Sequence, residues 1–137
     1  MPTTVFPGSY DSLQPIAALI RQAAQEIGFD DCETYKIETS VDEACSNIIE
    51  HAYGGEDRGQ IELTYEIEPD RLIIILRDNG QVFNPKKVAR PNTKAPLSKR
   101  AAHGLGLFIM QKWMDEVEFS IQGGMNQVTM VKKLVQA

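Results

Sequence analysis

The chain is short of cysteine, of long apolar runs and of net positive charge, and each shortage excludes a class of protein. Among its 137 residues there are two cysteines, Cys32 and Cys45. Their separation matches neither a disulfide framework nor a metal knuckle. Reduced thiols and a cytoplasmic chain are the expectation. No aliphatic run exceeds the five residues Leu72–Leu76, whereas a membrane-spanning helix needs about 20. The opening Met1-Pro2-Thr3-Thr4-Val5 has neither the basic nor the apolar region of a secretory signal. Lys and Arg number 14 against 19 Asp and Glu, a net charge of −5. A direct nucleic-acid binder normally carries a basic surplus.

What is present suits a folded globular chain. Hydrophobic residues make up 42% and charged residues 24%, close to the usual averages. The length predicts one domain over residues 1–137, burying roughly two-thirds of its unfolded surface. The charge is segregated. Lys86, Lys87, Arg90, Lys94, Lys99 and Arg100 fall between Asn84 and His103 with no acid among them. Set aside, they leave eight cations against 19 acids, a balance of −11. One segment is cationic and the body is acidic.

Hydrophobic periodicity orders the elements. Thr3 to Phe6 reads as a short edge strand. Ser12 is placed to cap a helix whose apolar residues Leu13, Ile16, Leu19, Ile20, Ala23 and Ile27 follow helical spacing, with Gly28 at the C-cap. Asp30 and Glu33 have capping-box spacing, and the helix they open runs to about Tyr53, ended by Gly54-Gly55. Its stripe is Ile37, Val41, Ala44, Ile48 and Ala52, beside Cys45. Gln60–Ile67 and Arg71–Arg77 form a hairpin around Glu68-Pro69-Asp70. The second run is apolar on both faces, which predicts a central strand. Asn79 to His103 reads as a loop, too long for mere connection. A helix from about Leu105 to Met114 and two strands, Glu116–Gln122 and Gln127–Val135, complete the chain. The expected class is α+β, a two-layer sandwich of a mostly antiparallel sheet with helices on one face.

Three features carry chemistry. Glu43 and Asn47 are i and i+4 on the second helix, about 40° apart in projection, and His51 continues the line. A carboxylate beside an amide oxygen suits Mg²⁺, a hard ion that takes oxygen ligands and keeps waters. Asp78 follows the central strand and can accept a hydrogen bond from an exocyclic amine such as that of adenine, while Gly80 lets the backbone approach a flat ring. Gly104 and Gly106 open a helix whose N-terminal N–H groups and dipole favour an anion. Each alone also reads as ordinary structure: a solvated helix face, an Asp-Asn-Gly turn, a helix start with incidental glycines. In this order, with a cationic loop between the last two, they supply the parts of a Mg·ATP site without a Walker A loop.

The three stretches resemble the N, G1 and G2 boxes of the GHKL (histidine kinase-like) ATPase superfamily. They are Val41-Asp42-Glu43-Ala44-Cys45-Ser46-Asn47-Ile48-Ile49-Glu50-His51-Ala52-Tyr53, Asp78-Asn79-Gly80-Gln81-Val82-Phe83-Asn84-Pro85, and Gly104-Leu105-Gly106-Leu107-Phe108-Ile109-Met110. Within that superfamily the sequence is most similar to the bacterial anti-sigma factor serine/threonine-protein kinases. The resemblance implies a Bergerat-type ATP-binding fold with ATP and Mg²⁺ as cofactors. Glu43 would be the catalytic base and Asn47 the metal ligand. Asp78 would meet the adenine amine, with Gly80 beneath the ring. Gly104 and Gly106 would lie against the phosphates, and His51, Phe83, Leu105 and Leu107 would complete the nucleotide site. Residues of about 84–103 would form an ATP lid. Where the family often carries an arginine before the glycine pair, this chain has Ala102 and His103, which leaves Lys99 or Arg100 for the γ-phosphate. Where the family commonly has a threonine after the last hairpin glycine, Asn126 stands close by and would supply the polar contact to adenine. The implied partners are a STAS-domain anti-sigma factor antagonist, a sigma factor and a second copy of the chain, with neither nucleic acid nor membrane. Two other readings compete: a histidine kinase catalytic domain, which would need a phosphoacceptor helix, and a non-catalytic ATP-binding partner-switch module.

Overall fold

The computed structural model describes residues 2–82 and 102–135. Strand β1 (Thr3–Pro7) leads through a 3-10 turn (Tyr10–Ser12) into α1 (Leu13–Ile27) and α2 (Asp31–Asn47). A π-helical turn, Ile48–Ala52, continues α2. Then come β2 (Gln60–Glu68), β3 (Arg71–Asp78), α3 (Ala102–Trp113), β4 (Glu116–Gln122) and β5 (Met125–Lys133). The five strands make one sheet in the order β1-β2-β3-β5-β4, every neighbouring pair antiparallel. The expected element order, the central place of β3 and the α+β sandwich are all observed.

Alternation along the strands explains the layering. Ile61 and Leu63 of β2, Leu72, Ile74 and Leu76 of β3, and Val128 and Met130 of β5 are buried on one face. They share a single cluster with Ile16 and Ile20 of α1, Ile37 and Val41 of α2, and Met110 of α3. Each such side chain stabilises the fold by about 1.5–3 kcal/mol. Gly123 and Gly124 join β4 to β5 with φ of 60° and 78°. Two left-handed residues in a two-residue turn match the strand twist, and glycine takes them without strain.

Three expectations need correction. Ser12 makes no side-chain cap; its Oγ donates to Pro7 O at 2.6 Å. The 3-10 turn before α1 is capped instead by Ser9, which accepts from Asp11 N. At α2, Asp30 accepts from Glu33 N at 2.7 Å, but Glu33 does not reach back to complete a capping box. Its Oε2 lies 2.9 Å from Lys132 Nζ. Lys132 points inward from β5, is 9% exposed and also donates to Trp113 O at 2.7 Å. One lysine thus ties α2, α3 and β5 at one end of the sheet.

The third correction concerns the end of α2. The chain does not run as α-helix to Tyr53. Tyr53 N bonds Ile48 O at 3.0 Å, an i→i+5 contact, and Gly55 N bonds Ile49 O at 2.8 Å. This widened turn leaves Ala52 O to accept from Gln81 N at 2.7 Å, across to the segment after β3. A π-turn inside a helix often marks a functional position.

Candidate functional site: a cleft between the second helix and the end of the central strand

The sheet register brings the site together. Asp78 ends β3 and pairs in register with Asn126 near the start of β5. Beside them, across a cleft of about 420 Å³ including its open mouth, stands α2. Among the described residues the walls are Ala44, Asn47, Ile48 and Ala52 from α2 and the π-turn, Asp78 from β3, Phe119 and Ser120 from β4, and Asn126, Gln127 and Val128 from β5. The lining is mostly apolar with a few convergent polar groups, the usual composition of a small-molecule site.

Asp78 is 4% exposed. Its Oδ1 accepts from Gly80 N at 2.9 Å and from Asn126 Nδ2 at 2.8 Å, and Oδ2 takes part in neither bond. Burial pushes its carboxyl above the usual range, while these two donors pull it back. Asn126 Nδ2 also lies 3.0 Å from Gln81 O and 3.3 Å from Gly80 O. Gly80 itself is pressed on the π-turn: a Cβ there would stand 2.5 Å from Ala52 O. Tyr53 holds the other side, its hydroxyl 2.5 Å from Gln60 O and accepting from Asn79 N at 3.2 Å.

Asn47 is 8% exposed, so it does not stand on a solvated helix face. Its Nδ2 is buried with no hydrogen-bond partner among the described residues. A buried amide left unspent and facing a cleft costs stability unless a ligand completes it. The two ends of an amide are interchangeable in assignment, so Asn47 can present an oxygen to a cation. The described residues contain no group of three or more His, Cys, Asp or Glu able to hold a metal. A single amide oxygen fits Mg²⁺, which keeps several waters and is commonly held by one or two protein oxygens and a polyphosphate.

Glu43 lies one turn before Asn47 and is half-buried. Burial first, then the charges of Asp42 and Glu50, raise its carboxyl above the ordinary value. Asp42 is raised too, by burial and by Glu38. Glu43 meets α3 directly, since a Cβ on Gly106 would collide with Glu43 Oε2. This revises the reading of the glycine pair. Helix α3 starts at Ala102, so Gly104 is its third residue, the last whose N–H has no helical acceptor. Gly106 is the fifth residue and its N–H is within the ladder's reach. Its lack of a side chain makes room for the Glu43 carboxylate. Leu107 sends its side chain into the core.

His51 sits half-buried in the π-turn. Phe83, Lys99, Arg100 and most of the expected lid lie outside the described residues. Sequence reasoning missed the apolar cleft walls Ala44, Ile48, Phe119 and Val128. The first two stand in the core stripe and gave no separate signal.

A family model described as the histidine kinase-like ATPase domain matches residues 6–132. The serine-protein kinase RsbW of Bacillus mycoides (strain KBAB4) is 34% identical over 125 residues, covering 87% of this chain and 76% of that protein. RsbW of Bacillus velezensis is 34% identical over 110 residues, covering 77% and 67%. The solved RsbU and RsbW domains of Rv1364c from Mycobacterium tuberculosis superpose with a TM-score of 0.63 at 16% identity, over 100% of this chain and 34% of that one. The catalytic domain of histidine kinase ThkA superposes at 0.57 and 16% identity over 97% of this chain, a likeness of fold.

Proposed function

The chain belongs to the anti-sigma factor serine/threonine kinase family of the histidine kinase-like ATPases, and from that premise we propose that it transfers the γ-phosphate of ATP to a serine or threonine of a STAS-domain antagonist protein. The observation that carries the reading is the meeting of Asn47, Asp78 and Asn126 around one cleft, with Glu43 a turn away.

Each residue has a task in that reaction. The apolar walls take the adenine ring. Asp78 accepts from its 6-amino group through Oδ2. Asn47 would hold Mg²⁺, which when bound neutralises charge on the β- and γ-phosphates. The free N–H groups at the start of α3, up to that of Gly104, would meet phosphate oxygens. Lys99 and Arg100 remain the proposed γ-phosphate cations. Glu43 takes the proton of the acceptor hydroxyl. Its raised proton affinity makes it a better base than a solvated carboxylate. Membership of an anti-sigma factor kinase family supports a sigma factor as second partner. A homodimer, the single domain over 1–137 and a cytoplasmic setting belong to the same proposal. No helix of the described residues is long and apolar enough to cross a membrane.

The test is phosphotransfer. The protein, ATP labelled on its γ-phosphate and Mg²⁺ are incubated with STAS-domain proteins of the same organism. Acid-stable label on serine or threonine of one of them is expected. ATP binding without transfer to any of them would make the chain a non-catalytic switch module. Acid-labile label would place the phosphate on histidine and overturn the serine/threonine assignment.

A further inference from the structure

Asn126 faces three acceptors: Asp78 Oδ1, Gln81 O and Gly80 O, at 2.8, 3.0 and 3.3 Å from its Nδ2. An amide has two N–H hydrogens, and the two shortest contacts consume them. The surroundings fix which end is nitrogen, because the flipped amide would set an oxygen against a carboxylate and two carbonyls. The donors of Asn126 are therefore spent inside the protein and none is left for a ligand. Gly80 N completes the hold on the same Oδ1. Two neutral donors thus occupy one oxygen of a buried carboxylate and leave the other to serve the cleft.

We infer that Asn126 is a positioning residue that fixes Asp78 as a hydrogen-bond acceptor and thereby makes the cleft select a 6-amino over a 6-oxo purine. The inference rests on the nucleotide reading above. An ionised Asp78 can only accept, which suits the amine of adenine and repels the carbonyl oxygen of hypoxanthine. A protonated Asp78 could donate to that carbonyl instead. Burial works toward the protonated form, and the Asn126 donor works against it. The titratable groups nearby are Tyr53, whose hydroxyl is pushed up in part by the charge of Asp78, and His51 in the π-turn against which Gly80 packs. Among the described residues no cation enters the balance of Asp78.

The sign of the pH dependence follows. In N126A the carboxyl loses a donor and takes up a proton at higher pH than before, so discrimination weakens as pH falls. In N126D a second carboxyl faces Oδ1. The pair shares one proton when the pH is low enough, and that proton imitates the lost N–H. As pH rises the shared proton leaves and two like charges meet. The two variants therefore have opposite pH slopes for ADP.

The experiment is calorimetry with Mg·ADP and Mg·IDP between about pH 6 and pH 8. Wild type should prefer ADP by about tenfold or more throughout, a difference of one good hydrogen bond. N126A should bring the two nucleotides within about threefold at the acid end and recover toward the alkaline end. N126D, nearly isosteric and decisive alone should N126A not fold, should keep ADP at the acid end and lose about tenfold at the alkaline end. Variants that keep the wild-type ADP preference at every pH would overturn the role of Asn126 alone. So would equal loss of both nucleotides without a pH slope, the mark of a merely structural residue. A wild type that binds neither nucleotide would bring down the nucleotide reading, and this inference with it.

Discussion

Asp78 and Lys132 point from neighbouring strands toward the same side of the sheet, at opposite ends, and both are buried, 4% and 9% exposed. Their partners differ in kind. Lys132 has an opposite charge, Glu33, and a backbone carbonyl, Trp113 O. Asp78 has two neutral N–H donors on a single oxygen. The lysine holds the carboxyl of Glu33 below its usual range, whereas burial holds that of Asp78 above it. A buried charge that is paired serves the fold. One held ready by neutral donors beside a cleft serves a ligand, and the fold carries its desolvation.

This contrast predicts that charge removal at the cleft end alters activity, and at the other end stability. The largest effect should come from Glu43→Gln. Phosphotransfer should fall by about 10²–10⁴-fold, the usual worth of a general base, with ATP affinity and unfolding temperature near wild type. Transfer at the wild-type rate would remove Glu43 as base.

Asp78→Asn comes next. ADP affinity measured by calorimetry should drop by about 10–100-fold, the value of a hydrogen bond to a charged group. The fold should become more stable at neutral pH, because the carboxamide oxygen still accepts from Gly80 and Asn126 without a buried charge. A variant that binds ADP normally, or that is destabilised, breaks the contrast.

Lys132→Met should do the converse. Loss of the donor to Trp113 O and of the pair with Glu33 should cost about 1–3 kcal/mol in denaturant unfolding. ADP affinity well below the melting range should stay within about twofold, since distant sites behave additively.

The smallest effect is a pair of opposite pH slopes. Glu33 titrates below its unfolded value in the native state, so its stabilisation is present above that value, about pH 4, and is lost as pH falls through the native pKa. Asp78 titrates above its unfolded value. Its share of stability is present at low pH and lost as pH rises through the native pKa. Glu33→Gln should flatten the acid side of a stability–pH curve and Asp78→Asn the side above it.

The local chemistry of the cleft was readable in the chain where it depends on near neighbours. Asp78 after a strand, Gly80 two residues on, and Asn47 one turn beyond Glu43 are short-range patterns, and period-two and helical spacing placed the elements that hold them. What depends on long-range register was not. The Asp78–Asn126 bond joins residues 48 apart in sequence, so Asn126 read as a candidate base contact instead of a brace. The buried pairing of Lys132 was not legible, because nothing local announces Glu33 and Trp113 O beside it. The π-turn hides for another reason: its bonds depend on what Ala52 O meets after β3. Gly106 was readable as a glycine that something approaches closely, but not as the one that Glu43 approaches.

The order β1-β2-β3-β5-β4 has a consequence for how the protein assembles. β2 with β3 and β4 with β5 are hairpins across short turns, which close quickly. The β3–β5 pairing closes a far longer loop, and its entropy cost must be met before the contacts form. The cleft lies on that seam. Asp78 belongs to one hairpin and Asn126 to the other, so neither half alone can present the acceptor. A bound nucleotide would act as a rivet across the seam, adding about 2.7 kcal/mol to stability at a hundred times its dissociation constant.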